Sequence, residues 1–165
     1  MSTVSDPQGR PTVVDLVDKE ARVFPIGRLD ADSEGLIILT NDGDLTLHLT
    51  HPRYGIRKTY VALVEGIVDT ASIEVLTEGV LLDDGPAQAV SAKIIDRSDT
   101  TSIVEVVMGE GRNRIVRRML AAVGYPVQRL IRTAIGSLRD PSLKPGTWRP
   151  LTIDEIRRLY GAVDE

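Results

Sequence analysis

The chain has 165 residues, 42% of them hydrophobic and 27% charged, a balance that fits a globular domain and excludes a disordered chain. It has no cysteine and only two histidines, His48 and His51. That removes disulfide scaffolds, cysteine nucleophiles and thiolate clusters, and leaves little room for a histidine metal site or a Ser-His-Asp triad. The net charge of −4 argues against nucleic acid only as an average over unlike parts. Residues 1–110 carry 9 Lys+Arg against 19 Asp+Glu, and residues 111–165 carry 11 against 5.

Taken in chain order, a polar, extended-looking start leads to a first apolar segment, Thr12 to Val17. Leu36 to Thr40 is a short continuous apolar run, read as a strand closed by the turn cluster Asn41-Asp42-Gly43-Asp44. A short helix is expected over 44–50 and a β-branched, aromatic strand over 59–64, ended by Glu65-Gly66. Asp69 is a plausible N-cap for a helix running to Thr77. Strands over 90–96 and 102–108 flank the polar Arg97–Thr101. Asn113 to Val123 places Ile115, Met119 and Val123 on one helical face, with Gly124 as its stop. A strand over 127–135 follows, and Thr152-Ile-Asp-Glu155 is a capping box opening a last helix through Tyr160. With no repeat, no linker and no strict βαβ alternation, the expected class is α+β: a mixed or antiparallel sheet flanked by helices, in one domain over 1–165.

Three stretches can carry chemistry. Between Gly111 and Arg132 stand six arginines and no acid, a local charge that suits a polyanion as well as it suits a solvated helix face. Gly109-Glu-Gly111-Arg-Asn-Arg114 opens the helix there, but Arg114 stands where a dinucleotide fingerprint needs its third small residue. A general phosphate site fits better, with Arg112, Arg114, Arg117 and Arg118 supplying charge. The second stretch, Asn41–Asp44, is not a calcium loop, because Ile38 sits where an EF-hand needs an oxygen ligand five positions before its glycine; a hairpin or a helix-entry turn explains it better. In the third, Asp30, Asp32 and Glu34 alternate just before the apolar strand. They can bind Mg²⁺ for phosphoryl transfer or stand as exposed loop acids, and Asp30 can serve as nucleophile or general base.

Around these residues the chain resembles the RsuA-like family of ribosomal pseudouridine synthases. Gly27-Arg-Leu-Asp30-Ala-Asp-Ser-Glu-Gly-Leu36 is similar to the family's catalytic-aspartate motif, and Lys58-Thr59-Tyr60 with Val61 to Gly66 to its second motif. Gly111 to Met119 and Leu130 to Gly136 resemble the third, with the GRNR form nearer the large-subunit branch. His51-Pro52, Leu138 and Gly146 to Leu151 fit as well.

The resemblance implies an isomerase that makes pseudouridine from a uridine in rRNA, 23S in preference to 16S, with the base flipped into a pocket and with neither metal nor cofactor. Asp30 is then the essential carboxylate, acting on C1′ of the ribose, on the ring, or through a glycal route. Tyr60 lies against the base, Arg117 pairs with the carboxylate, and Ile131 covers the flipped ring. Arg28, Arg57, Lys58, Arg112, Arg114, Arg118 and Arg132 become contacts to RNA or, singly, plain surface ion pairs.

The resemblance also leads us to expect that an N-terminal S4-type RNA-binding domain and most of a first strand precede what is present. A monomeric, cytoplasmic, bacterial protein is expected, since no apolar run approaches about 20 residues and the N-terminus is not a signal peptide. The alternative is a non-catalytic RNA-binding or ribosome-assembly module that keeps only the basic face.

Overall fold

The computed structural model describes residues 22–161. The apolar segment Thr12 to Val17, the polar start before it and the strand expected to precede them lie outside the described residues. In chain order the elements are β1 (Phe24–Ile26), β2 (Ser33–Gly35), β3 (Ile38–Thr40), α1 (Gly43–Thr50) and β4 (Lys58–Glu65). They continue as α2 (Thr70–Glu78), β5 (Val80–Leu82), β6 (Gly85–Ala87), β7 (Ser91–Arg97) and β8 (Thr101–Met108), and end with α3 (Ile115–Ala122), β9 (Val127–Ile135) and α4 (Ile153–Gly161). The class is α+β, as the mixture of short strands and helices led us to expect. Two compact units are present, Met1–Ile56 with Ala134–Glu165, and Arg57–Thr133.

In the first unit β1 and β3 pair antiparallel, with Ile26 opposite Ile38. The cluster Asn41–Asp44 is a helix entry rather than a hairpin. Asp42 Oδ1 accepts from the backbone N–H of Asp44 at 3.0 Å and of Leu45 at 3.3 Å, which caps α1. Its other oxygen accepts the Tyr160 hydroxyl at 2.6 Å, tying the start of α1 to α4. These bonds hold the Asp42 carboxyl below its usual range and push the Tyr160 phenol up to about 12.

The capping box of α4 forms in both directions, Glu155 N–H to Thr152 Oγ1 at 3.1 Å and Thr152 N–H to Glu155 Oε1 at 2.9 Å. Arg149 grips Glu155 through both terminal nitrogens, at 2.8 and 2.7 Å, and Asp140 through Nε at 2.6 Å. The Glu155 carboxyl falls to about 2 in consequence. The core here is Ile26, Ile38, Leu45, Leu49, Ile56, Ile135, Leu138 and Leu159.

In the second unit the strands stand in the order β9-β4-β8-β7. β8 pairs antiparallel with both β4 and β7, and its alternation buries Ser102, Val104, Val106 and Met108. The register of β7 shifts between Ile94 and Asp96, a bulge near the strand's end. Buried Ser102 links the exit of β4 to the entry of α2, donating to the Gly66 carbonyl at 2.8 Å and accepting from Val68 N–H at 2.9 Å. Asp69 caps α2 by accepting from Ser72 N–H at 2.8 Å.

α3 lays Ile115, Val116, Met119 and Leu120 into the core of this unit. Gly124 ends it at φ 96°, with Gly124 N–H on the Ala121 carbonyl and Tyr125 N–H on that of Leu120. The short strands β1, β2, β5 and β6 add to the elements expected from the sequence. Each is three residues long, too short to show a period of two.

Candidate functional site

Asp30 stands at the start of a turn between β1 and β2. Ala31 and Asp32 are its central residues, and Ser33 N–H closes it on the Asp30 carbonyl at 2.9 Å. The preceding bend relies on Gly27 at φ 70°, where a side chain would be strained. Asp30 is half-buried, whereas Arg28, Asp32 and Glu34 are exposed. Among the described residues no group of three or more His, Asp or Glu side chains is disposed to hold a metal ion.

The second unit carries the remaining candidates. Tyr60 lies on β4 opposite Val106, half-buried and packed against the core. Two residues earlier, Lys58 begins the strand, and its Nζ comes within 3.6 Å of where a Cβ on Gly111 would stand. Burial and the charge of Arg132 depress the Lys58 ammonium below its usual value. Arg132, on β9, is itself only 3% exposed. The half-buried Lys58 on β4 thus feels the charge of the buried Arg132 on β9. Ile131, beside Arg132, is half-buried, and Arg57 is exposed.

Two of the arginines around α3 meet a carboxylate of the β5–β6 turn. Arg112 and Arg118 both bond Asp84, in the turn between β5 and β6. That engages them inside the protein, the plain ion-pair alternative that the sequence left open for each. Arg117 is half-buried in the first turn of α3. Arg114 precedes the helix with φ 52° and ψ 32°, the only non-glycine at positive φ among the described residues, and makes no side-chain cap. Asp84 was absent from the sequence reading. It lies 28 and 34 residues from the arginines it holds, and its only local signal is an Asp-Asp-Gly turn.

Comparison with known proteins supplies the family. The chain matches the RNA pseudouridylate synthase family over residues 7–122. The chain belongs to this family. It is 46% identical, over 98% of its length, to an uncharacterized RNA pseudouridine synthase of Mycobacterium tuberculosis, and covers 65% of that protein. It is 41% identical, over 99% of its length, to ribosomal large subunit pseudouridine synthase B of Bacillus subtilis, covering 68% of it. A crystal structure of a pseudouridylate synthase superposes with a TM-score of 0.80 at 35% identity, over 90% of this chain and 65% of the other. The chain thus spans about 65% of the length of the curated relatives it matches first. No helix among the described residues is long and apolar enough to cross a membrane.

Proposed function

We propose that this chain is the catalytic part of an rRNA pseudouridine synthase acting on a uridine of large-subunit (23S) rRNA, as a cytoplasmic monomer. The observation that carries this reading is the family match over residues 7–122, which spans Asp30, Tyr60 and Arg117 in one colinear stretch. The kinship with a ribosomal large subunit synthase over nearly the whole chain supports the choice of RNA.

The reaction breaks the C1′–N1 bond of the target nucleotide and joins C1′ to C5 of the same ring. C5 loses a proton and N1 gains one, so the atoms balance without oxidant, reductant or second substrate. Asp30 supplies the carboxylate that assists departure of the base, from a turn rigid enough to aim it. Tyr60 stacks on the flipped uracil and presents its hydroxyl to the C5 proton. Arg117 is the basic residue that the family resemblance pairs with the catalytic carboxylate, and Ile131 the apolar one that covers the ring. Lys58 and Arg132 draw in backbone phosphate, helped by Arg28, Arg57 and Arg114.

The test is chemical mapping of pseudouridine in rRNA from cells with the gene, without it, and with Asp30→Asn. The gene should account for one pseudouridine, and Asp30→Asn should lower its formation by at least about 10³-fold while the melting temperature is kept. Wild-type levels of modification in the Asp30→Asn strain would refute the role of Asp30. An rRNA map unchanged by loss of the gene would refute the activity.

A further inference from the structure

We infer that Asp84 is a positioning residue for the proposed reaction, fixing the loop from Gly109 to Arg114 and the first turn of α3 by clamping two arginines from outside both. The inference rests on the functional reading above.

The geometry is specific. Arg118 meets Asp84 in a two-pronged contact, Nη1 to Oδ1 at 2.8 Å and Nη2 to Oδ2 at 3.1 Å. Its Nε turns back to the Asn113 carbonyl at 2.9 Å, one residue before Arg114 in its left-handed conformation. Arg112 approaches from the other side of that residue pair. It bonds Asp84 Oδ1 at 3.1 Å, the carbonyls of Asp84 at 3.3 Å and Pro86 at 2.7 Å, and Glu110 Oε1 at 2.7 Å. Asn113 and Arg114 are thus bracketed by two guanidinium groups that share one carboxylate.

The β5–β6 turn is shaped for this. Gly85 turns the chain there at φ 121°, a conformation that residues with a side chain rarely adopt, and its carbonyl accepts from Arg112 Nη1 at 3.5 Å. Hydrogen bonding and charge from Arg118 hold the Asp84 carboxyl below its usual value. Asp84 keeps 47% of its side chain exposed, and ion pairs so placed add little to stability. Geometry is the clamp's main product. It holds an unfavourable backbone conformation at the motif from which Arg114 and Arg117 project. Two of the six arginines of the basic stretch therefore serve as struts.

The two struts differ in their dependence on Asp84. Arg112 keeps three backbone carbonyls, those of Asp84, Gly85 and Pro86, and Glu110 if the carboxylate is removed, while Arg118 keeps only Asn113. The experiment uses the full-length protein and an unmodified 23S rRNA transcript, with wild type, Asp84→Ala, Asp84→Glu and the double variant Asp84→Ala/Arg118→Ala. Turnover, KM, melting temperature and the salt dependence of RNA binding are read for each.

Asp84→Ala should lower kcat about 10–100-fold with the melting temperature kept. It should also steepen the plot of log affinity against log salt by about one phosphate contact, because Arg118 is released to the RNA. The double variant should lose that extra slope without regaining turnover, and Asp84→Glu should recover part of kcat. Wild-type kcat in Asp84→Ala, or a fall in kcat matched by a fall in melting temperature with the slope unchanged, would overturn the inference. An inactive wild type would instead overturn the functional reading, and the slope would then decide the clamp alone, an unchanged value ruling it out.

Discussion

α1 and α3 are both eight-residue helices, and they begin in opposite ways. α1 starts from Asp42 in an extended conformation, with its carboxylate on two of the helix's first N–H groups and Asp44 in the first turn. Both acids suit the positive end of the helix dipole. α3 starts from Arg114 in the left-handed region, without a side-chain cap and without an acid in its first turn. Arg117 and Arg118 stand there instead, with the wrong sign for the dipole. What holds α3 is its apolar face of Ile115, Val116, Met119 and Leu120, while the Asp84 clamp positions its first turn. The start of α1 is arranged for stability. The start of α3 gives up local stability to gather positive charge at one point, which is the arrangement a polyanion site requires.

Substitution at the two caps should move stability in opposite directions. Asp42→Ala removes the cap of α1 and the bond from Tyr160 together, and should lower the melting temperature by about 3–6 °C. Arg114→Gly relieves the left-handed strain and should raise it by about 2–4 °C, while weakening rRNA binding several-fold. A lower melting temperature for Arg114→Gly, measured by thermal denaturation, would break the contrast between the helices.

Smaller effects follow from the groups that tie α4 in place. The Tyr160 phenol is raised to about 12, so its contribution is complete below its unfolded value near 10 and is lost as pH climbs from there to about 12. Tyr160→Phe should abolish that alkaline decline in melting temperature. The Glu155 carboxyl is lowered to about 2, so its contribution is present above about 4.5 and disappears as pH falls from there to about 2. Glu155→Gln should flatten the acid limb over that window, the smallest of these changes.

The helices were largely legible in the sequence because their ends carry their own chemistry. Asp69, the Thr152/Glu155 pair and Gly124 do in the structure what their residue types imply. The long strands were legible through their β-branched alternation. Four of the three-residue strands were not, since Phe24-Pro25-Ile26 shows no period and Gly85-Pro86 reads as a turn, whereas β3 was betrayed by its apolar run. The division into two units left no trace either, because no linker composition marks Ile56–Arg57 or Thr133–Ala134.

At the site, local motifs pointed to Asp30, Tyr60 and the arginines as candidates. The bonds that engage Arg112 and Arg118 were out of reach, because they come from Asp84 far along the chain. The left-handed backbone of Arg114 was equally hidden, as arginine is not a residue type that announces it.

The bulge in β7 has a bearing on how the protein behaves in crowded solution. β7 is the last strand of its sheet, and a straight last strand offers a ready row of N–H and carbonyl groups to a neighbour. The register break between Ile94 and Asp96 interrupts that row, and Lys93, Asp96 and Arg97 set exposed charges along it. A second sheet cannot continue this one without burying those charges and spanning the gap in pairing. A register break and exposed charges of this kind are what make an edge strand a poor template for a neighbouring strand.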